Sequence, residues 1–174
     1  MYFPIFIWYI YISHIKTNEG SILTNDAIIN VIKNLIITDN IYLFVSCYYE
    51  FSEFSLLNII LMLIAQDIYF YTTHKVFHNK YMYNSFHHIH HQSLQPFYAW
   101  HAHIAEHIVV NIGSIAIPFL LFPNNSYVLT LIVLVQVYTS VNGHTGLTDH
   151  AKHHIDHNKC LGSIYIMDRL LSTY

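Results

Sequence analysis

Three sets of closely spaced histidines constrain the fold of this chain more than any other feature. Within each set the members are three or four residues apart: His74 and His78; His87, His90 and His91; and His150, His153 and His154. On an α-helix, residues at these spacings share one face and lie a turn apart. We therefore predict that each set presents its rings on one side of a helix.

The number of imidazoles in these sets predicts a site for two metal ions. Neutral imidazole suits iron, zinc, copper and nickel. Structural zinc takes four ligands and catalytic zinc takes three plus water, so eight histidines exceed one such site. Of the 15 histidines, all but His14 lie between His74 and His157. A biased, histidine-rich tract is therefore the alternative explanation of the spacing.

The composition indicates a membrane protein. The chain of 174 residues is 54% hydrophobic and 10% charged, whereas a soluble domain is roughly 25% charged. Its net charge of −3 gives no basic surface for nucleic acid. Cys47 and Cys160 are too far apart in sequence to indicate a disulfide framework or a thiolate metal site. The first residues have no basic region and no small-residue cleavage site, so we expect no cleaved signal peptide.

Apolar runs predict an all-α fold of membrane-spanning helices. The runs cover 28–49, 54–73, 108–122 and 127–141. The last two are about 15 residues each and reach only about 22 Å as helix. They predict a short hairpin that barely spans a bilayer or only dips into it. Such a hairpin returns the third histidine set to the side that holds the first two.

Two further segments do not fit a membrane span. Residues 1–12 are apolar but shorter than the ~20 residues that a span needs. They predict an interfacial segment or the remnant of a longer helix. Residues 79–103 are polar and aromatic, and they predict a helix with the second histidine set, followed by a loop. We find no internal repeat and predict a single domain over 1–174.

Basic residues predict the orientation in the membrane. Five of the seven lysines and arginines lie on the histidine side: Lys75, Lys80, Lys152, Lys159 and Arg169. Positive residues concentrate in cytoplasmic loops, so the histidine-rich helical cap should face the cytosol.

Four carboxylates lie close enough in sequence to the histidines to act as their partners. Imidazoles that bind a metal usually donate their second N–H to a carboxylate or a carbonyl. Asp67, Glu106, Asp149 and Asp156 could accept such bonds, or they could be ordinary solvated acids. An ionisable residue at membrane depth, such as Asp67, is a functional candidate by default.

One rival motif predicts a different chemistry. His103-Ile-Ala-Glu106-His107 matches His-x-x-Glu-His, the inverted signature of zinc proteases. Such a site needs a further ligand, commonly a downstream glutamate, and Glu106 is the last glutamate of the chain. A protease is therefore the less favoured interpretation.

The order of these motifs resembles the fatty acid hydroxylase/sterol desaturase superfamily of membrane non-haem di-iron enzymes. The resemblance covers roughly 60–174. The matching elements are Asp67, His74-x-x-x-His78, His87-x-x-His90-His91, His103-x-x-Glu106, His144-Thr-Gly, His150-x-x-His153-His154 and the closing Met-Asp168-Arg169-Leu-Leu-Ser-Thr-Tyr. The chain departs from the family pattern at Lys75, usually Arg, and at Ile104, usually Pro. Cys160-Leu161-Gly162 stands in place of the usual Asn-Tyr-Gly, and the N-terminal spans are reduced.

The resemblance implies a function and a set of site residues. It implies two iron ions, replaceable by zinc in purified protein, held by the eight histidines of the three sets. It adds His103, His144, Asp67 and Glu106 as further ligands or as partners of ligands, with no catalytic residue beyond the metal ligands. The implied reaction is the hydroxylation or desaturation of a lipid such as a sterol or a fatty acyl chain, by O₂. Cytochrome b5 or a reductase would supply electrons, in an endoplasmic-reticulum-like membrane.

Two other functions stay open at this point. One is a membrane protein that binds or transports metal without redox chemistry. A transporter would place its ligands near the middle of the membrane, in paired or broken spans, whereas these histidines flank the apolar runs. The other is an inactive member of the same superfamily.

Overall fold

The structure, a computed structural model, describes residues 4–16, 23–49 and 53–174. These residues form eight helices: α1 (Ile5–Lys16), α2 (Asn25–Tyr48), α3 (Leu56–Phe77), α4 (Lys80–Ser85), α5 (Ile104–Leu121), α6 (Ser126–Gly143), α7 (Asp149–Ile155) and α8 (Ile166–Leu170). Two 3₁₀ segments, His87–Gln92 and Pro96–Trp100, lie between α4 and α5. No strand occurs in the described ranges, and the all-α prediction is confirmed.

Four of these helices are long and apolar enough to cross a membrane: α2, α3, α5 and α6. The shortest have 18 residues, about 27 Å of helix against a hydrocarbon core of about 30 Å. Large apolar side chains point outward from them, with Phe44, Leu57 and Leu131 all more than 60% exposed. An outward apolar surface of this kind indicates an integral membrane protein, because water would disfavour it.

The hairpin formed by α5 and α6 is longer than the sequence predicts. The predicted runs of about 15 residues become helices of 18 residues each. α5 extends toward the histidines because the polar side chains in its first turns have partners inside the protein. Glu106 meets His87, and the His107 ring lies 2.8 Å from the Thr38 hydroxyl. A π-helical turn at His107–Ile112 widens α5 at this level.

The four long helices alternate in direction between two ends of the bundle. At one end, Asn34 of α2 donates to the carbonyls of Trp100 and Ala102, which precede α5. At the other end, Ser55 before α3 exchanges two hydrogen bonds with Asn124 of the α5–α6 turn. The C-terminus of α3, the N-terminus of α5 and the C-terminus of α6 therefore share one end. This confirms that the hairpin returns the third histidine set to the first two.

Helix α1 packs with one face against the bundle, while Ile7, Tyr11 and Ile15 on its other face are exposed. The Trp8 indole donates to the Leu134 carbonyl of α6, and the fully buried Tyr9 donates to the Phe97 carbonyl. Tyr9 and Trp100 rings lie 4.9 Å apart. Asp39, in the middle of α2, accepts from the first amide of α1 at Ile5, at 2.8 Å. This bond satisfies an amide that has no partner within its own helix.

The region after α3 differs from its prediction. The sequence predicts an α-helix with the second histidine set within 79–103. Instead α4 ends at Ser85, Phe86 leaves the helical conformation, and the set lies on the 3₁₀ segment His87–Gln92. Side chains three residues apart eclipse one another in a 3₁₀ helix. Accordingly, the rings of His87 and His90 stack at 5.5 Å, and His91 turns toward His78, 5.1 Å away.

Candidate metal centre

Nine histidines converge at one end of the bundle in two groups. Within each group, one ring nitrogen per residue lies within 4.8 Å of the same atoms of the others. Cluster A consists of His74, His78, His87, His91 and His153, and cluster B consists of His90, His144, His150 and His154. The structure thus brings together all eight histidines of the predicted sets and adds His144. Five and four imidazoles are suitable ligand numbers for two transition-metal ions.

The two clusters do not correspond to the sequence sets. The prediction that each set presents its rings on one side is nevertheless confirmed for the three-member sets: the rings are 4.7–5.6 Å apart within the set at 87–91 and 5.0–5.9 Å apart within the set at 150–154. In the set at 87–91, His87 and His91 belong to cluster A and His90 to cluster B; in the set at 150–154, His150 and His154 belong to cluster B and His153 to cluster A. The two clusters adjoin, with the rings of His91 and His154 4.4 Å apart, so each set contributes imidazoles to both.

Hydrogen bonds to carbonyl oxygens fix the orientation of three imidazoles. His74 Nδ1 lies 2.9 Å from the Leu161 carbonyl, and His153 Nδ1 lies 3.0 Å from that of Lys159. In cluster B, His144 Nδ1 lies 2.9 Å from the Ser140 carbonyl. Because a carbonyl only accepts, each Nδ1 holds the proton and each Nε2 offers a lone pair. Nε2 is therefore the metal-binding atom of these rings.

A carboxylate completes this arrangement in cluster A. Glu106 Oε1 lies 2.8 Å from His87 Nδ1, and both side chains are buried. With Nδ1 beside this carboxylate, His87 directs its Nε2 into the cluster, 2.9 Å from Nε2 of His78. The Nε2 atoms of His87 and His74 lie 3.2 Å apart. Two lone pairs at this distance repel, and a cation between the rings relieves that repulsion. The donor set therefore fits a bound metal ion.

Burial keeps the imidazoles of both clusters neutral. Removal from water lowers the pKa of His144 to about 4 and that of His154 to about 3, because it disfavours the charged form. Burial and the neighbouring imidazoles also lower the pKa of His90, His150 and His153 well below the usual value of 6.5. Neutral imidazole is the form that binds metal.

Asp67 contacts the C-terminal segment and none of the clustered imidazoles. Its carboxylate accepts from the amides of Ile164 and Met167, both at 2.8 Å. Asp168 accepts from the amides of Leu161 and Gly162 in the same segment. The carbonyl of Leu161 in turn orients His74. Asp67 therefore acts on the metal centre through the main chain of residues 161–167, and direct pairing with an imidazole is not observed.

The remaining candidate residues lie outside both clusters. His103 accepts from the Ala105 amide and caps α5. Asp149 pairs with Lys152 and Tyr174 at the surface, and Asp156 accepts from the Asn158 amide within a turn. The protease motif is not assembled, because His107 binds Thr38 and Asn34 and joins neither cluster with His103.

The sequence alone missed several contributors to the site. Main-chain carbonyls, such as those of Leu161, Lys159 and Ser140, have no signature in a sequence. His157 also lies beside cluster A, with its ring 4.5 Å from that of His91. Its position three residues after His154 was the available signal, but the motif pattern ends at His154.

A cavity of about 470 Å³ connects the metal centre to the interior of the bundle. His74 of cluster A and His90, His144 and His150 of cluster B line one part of it. Apolar side chains of α2, α5 and α6 line much of the rest, among them Val110, Leu129 and Val133. Glu106 also reaches this cavity, and its Oε2 atom has no hydrogen-bond partner. An apolar cavity with a few polar groups is typical of sites for small molecules.

Comparisons with known proteins agree with this architecture. A family model described as fatty acid hydroxylase matches residues 59–173. Two putative methylsterol monooxygenases of Dictyostelium discoideum are 33% identical over 93 residues and 29% identical over 85 residues. Fatty acid hydroxylase domain-containing protein 2 of Macaca fascicularis is 26% identical over 129 residues.

These matches cover 52%, 48% and 68% of this chain, and 34%, 31% and 38% of the respective relatives. The chain therefore spans about a third of the length of the curated relatives that it matches. No solved structure matches it significantly.

Proposed function

Because the chain belongs to the fatty acid hydroxylase family, within the fatty acid hydroxylase/sterol desaturase superfamily, we propose that it is a membrane-bound di-iron oxygenase. It hydroxylates an unactivated C–H bond of a lipid such as a sterol or a fatty acyl chain. The observation that best supports this proposal is the position of the apolar cavity. It lies between candidate membrane spans, and cluster B lines one part of its wall.

The clustered histidines hold the metal ions, and their neighbours orient them. When bound, two iron ions supply the oxygen chemistry, in which one atom of O₂ enters the C–H bond and the other leaves as water. Two electrons and two protons complete the balance. The Nε2 atoms of His74, His87 and His153 would hold one ion, since two carbonyls fix the protons of His74 and His153 on Nδ1 and Glu106 lies beside Nδ1 of His87. Such partners set both the tautomer and the basicity of the ligand.

The cavity positions the lipid and excludes water. Its volume of about 470 Å³ is within the range of about 300–1,000 Å³ typical for small-molecule pockets. The apolar wall contributed by Val110, Leu129 and Val133 favours the hydrocarbon part of a lipid. The names of the two Dictyostelium relatives make a methyl-bearing sterol the first substrate to test.

The histidine end faces the cytosol in this proposal, and an electron donor docks there. Lysines and arginine follow the first and third histidine sets, which favours a cytosolic position for this end. Cytochrome b5 or a flavin reductase supplies the electrons, and an endoplasmic-reticulum-like membrane holds both proteins. A metal transporter is less well supported, because the clusters lie at the ends of the candidate spans instead of at their middle.

Oxygen labelling tests the proposal. Purified iron-loaded protein with a b5-type donor, a reductase and ¹⁸O₂ should produce a lipid with a labelled hydroxyl. His154→Ala should produce none, because cluster B loses one of its four imidazoles. His88→Ala is the control, since His88 is an exposed histidine outside both clusters. A new double bond without label would indicate desaturation. Equal product from the wild type and His154→Ala would refute the proposal.

A further inference from the structure

His157 lies beside cluster A although it belongs to none of the predicted sets. It follows α7 in a turn that Asp156 stabilises by accepting from the amides of Asn158 and Lys159. Its ring is partly buried. The ring lies 4.5 Å from that of His91 and 5.2 Å from that of His78. Tyr83 covers the same side, with its ring 5.1 Å from that of His157.

These ring separations fall within the range found among the imidazoles of cluster A. Within cluster A, the ring separations range from 4.4 Å for His78 and His87 to 6.5 Å for His87 and His153. The ring of His157 is 6.3 Å from that of His153. By ring separation it is therefore as near to three of the five imidazoles as they are to one another, although its nitrogens do not meet the 4.8 Å spacing that defines cluster A. His88, by contrast, is exposed, and its Nδ1 lies 3.3 Å from the Tyr83 carbonyl.

His157 also lines a small hollow on another side of the centre. This hollow of about 240 Å³ is lined by His157 together with His78 of cluster A, and by Lys75, Asn79 and Asn158 among others. The larger cavity is lined by His74 of cluster A as well as by His90, His144 and His150 of cluster B, but not by His157. His157 therefore borders cluster A on the side of the hollow and takes no part in the wall of the lipid cavity.

We propose that His157 is a sixth imidazole ligand of the ion in cluster A and closes that site on the side of the hollow. The proposal rests on the proposed function, because it assumes the two metal ions. Six imidazoles would saturate an ion held in cluster A. The four imidazoles of cluster B would leave positions on the other ion open to O₂ and substrate. The two ions then differ in role, as closed and open metal sites do in other proteins.

Cobalt binding tests this assignment without relying on activity. The two cobalt affinities of the wild type are measured by competition with a chelator, and the d–d absorption of each ion is recorded. His157→Phe keeps a ring of similar size beside Tyr83 but removes both nitrogens. We expect one cobalt ion to bind about tenfold or more weakly and the other to bind unchanged. The absorption of the more weakly bound cobalt ion should rise, because five-coordinate cobalt absorbs more strongly than six-coordinate cobalt.

Matched variants make the result decisive. His88→Phe removes an imidazole from the same region and should leave both affinities and the spectrum unchanged. His157→Asn has a smaller polar side chain and should also weaken the binding of the same ion. The same loss in both variants would show that the effect does not come from ring packing alone. Unchanged affinities and an unchanged spectrum in both His157 variants would overturn the assignment of His157 as a ligand but would leave the proposed function in place. A folded wild type that binds fewer than two ions would overturn the proposed function, and this inference with it.

Discussion

The Oε1 atom of Glu106 lies 2.8 Å from Nδ1 of His87, and both side chains are buried at the histidine end of the bundle. This contact connects the first turn of α5, a candidate membrane span, to the 3₁₀ segment that contributes imidazoles to both clusters. The opposite nitrogen of His87, Nε2, faces Nε2 of His74 and His78 in cluster A, at 3.2 and 2.9 Å. Glu106 therefore holds the ring in the orientation that a metal ion in cluster A would need.

Glu106→Gln should weaken metal binding without disrupting the fold. The amide has nearly the same shape, but it can turn its NH₂ group toward His87 and disturb the orientation of the ring. Loss of a partner of this kind typically lowers metal affinity 10–100-fold. Competition with a chelator should show the loss for one ion, and circular dichroism should show unchanged helix content. The control is Glu53→Gln, at the far end before α3. Equal affinities in the wild type and Glu106→Gln would contradict the assigned role.

Asp67→Asn should loosen the C-terminal segment and, through it, His74. The asparagine amide can accept from one of the two amides that Asp67 binds, but it has no negative charge. A hydrogen bond to a charged group contributes about 1.5–3 kcal/mol, so stability should fall by about that amount. Hydrogen exchange at Ile164 and Met167 should become faster. Ser163→Ala removes only a 3.3 Å contact to the same carboxylate and should have a smaller effect. Unchanged exchange in Asp67→Asn would exclude this role.

Gly162→Ala should destabilise the same segment by steric conflict. A Cβ atom there would lie 2.7 Å from Asp168 Oδ2 and 2.8 Å from Asp67 Oδ1. Both carboxylates bind main-chain amides and cannot move freely. Overpacking of this kind costs about 1–3 kcal/mol, which a lower Tm would reveal. At Gly113 an added Cβ meets only the hydroxyl end of Tyr69, so Gly113→Ala should lower the Tm less. An equal loss in both variants would contradict the explanation.

Cysteine labelling tests the position of the histidine end. Gln92 and Lys152 are exposed at that end, and Tyr127 is exposed in the far turn region. Single cysteines at these positions, in a background of Cys47→Ser and Cys160→Ser, are treated with an impermeant reagent in sealed vesicles. Positions 92 and 152 should react from the cytosolic side only, and position 127 from the opposite side. If 92 and 152 reacted from opposite sides, the two clusters could not exist as described.

The long-range organisation of the fold follows from the sequence because it depends on composition. Runs such as 28–49 and 54–73 are apolar enough to require burial in lipid or protein. In the structure they correspond to α2 and α3. The turn at 123–126 interrupts the apolar sequence, so a returning hairpin could be predicted. The extra length of α5 could not, because His107 is stabilised by Thr38, which is distant in sequence.

The details of the metal centre depend on contacts that spacing does not encode. Asp67 and Glu106 were equal candidates as histidine partners, but only Glu106 reaches an imidazole. Asp67 does not reach an imidazole because its carboxylate accepts from the main-chain amides of residues 164 and 167 in the C-terminal segment. Similarly, helical spacing predicted that the rings of each histidine set lie together, and they do. It could not predict that each three-member set divides between two clusters, because that division depends on tertiary packing.

The division of adjacent histidines between clusters has a consequence for the geometry of the centre. His90 and His91 belong to opposite clusters, and so do His153 and His154. Consecutive residues therefore join the two clusters at two places in the chain, so the distance between the clusters is fixed locally. Bilayers of different thickness tilt spanning helices, and such tilting would reshape the cavity between α2, α5 and α6. It would leave the spacing of the clusters constant, so the shape of the cavity can change with the membrane while the arrangement of the histidines does not.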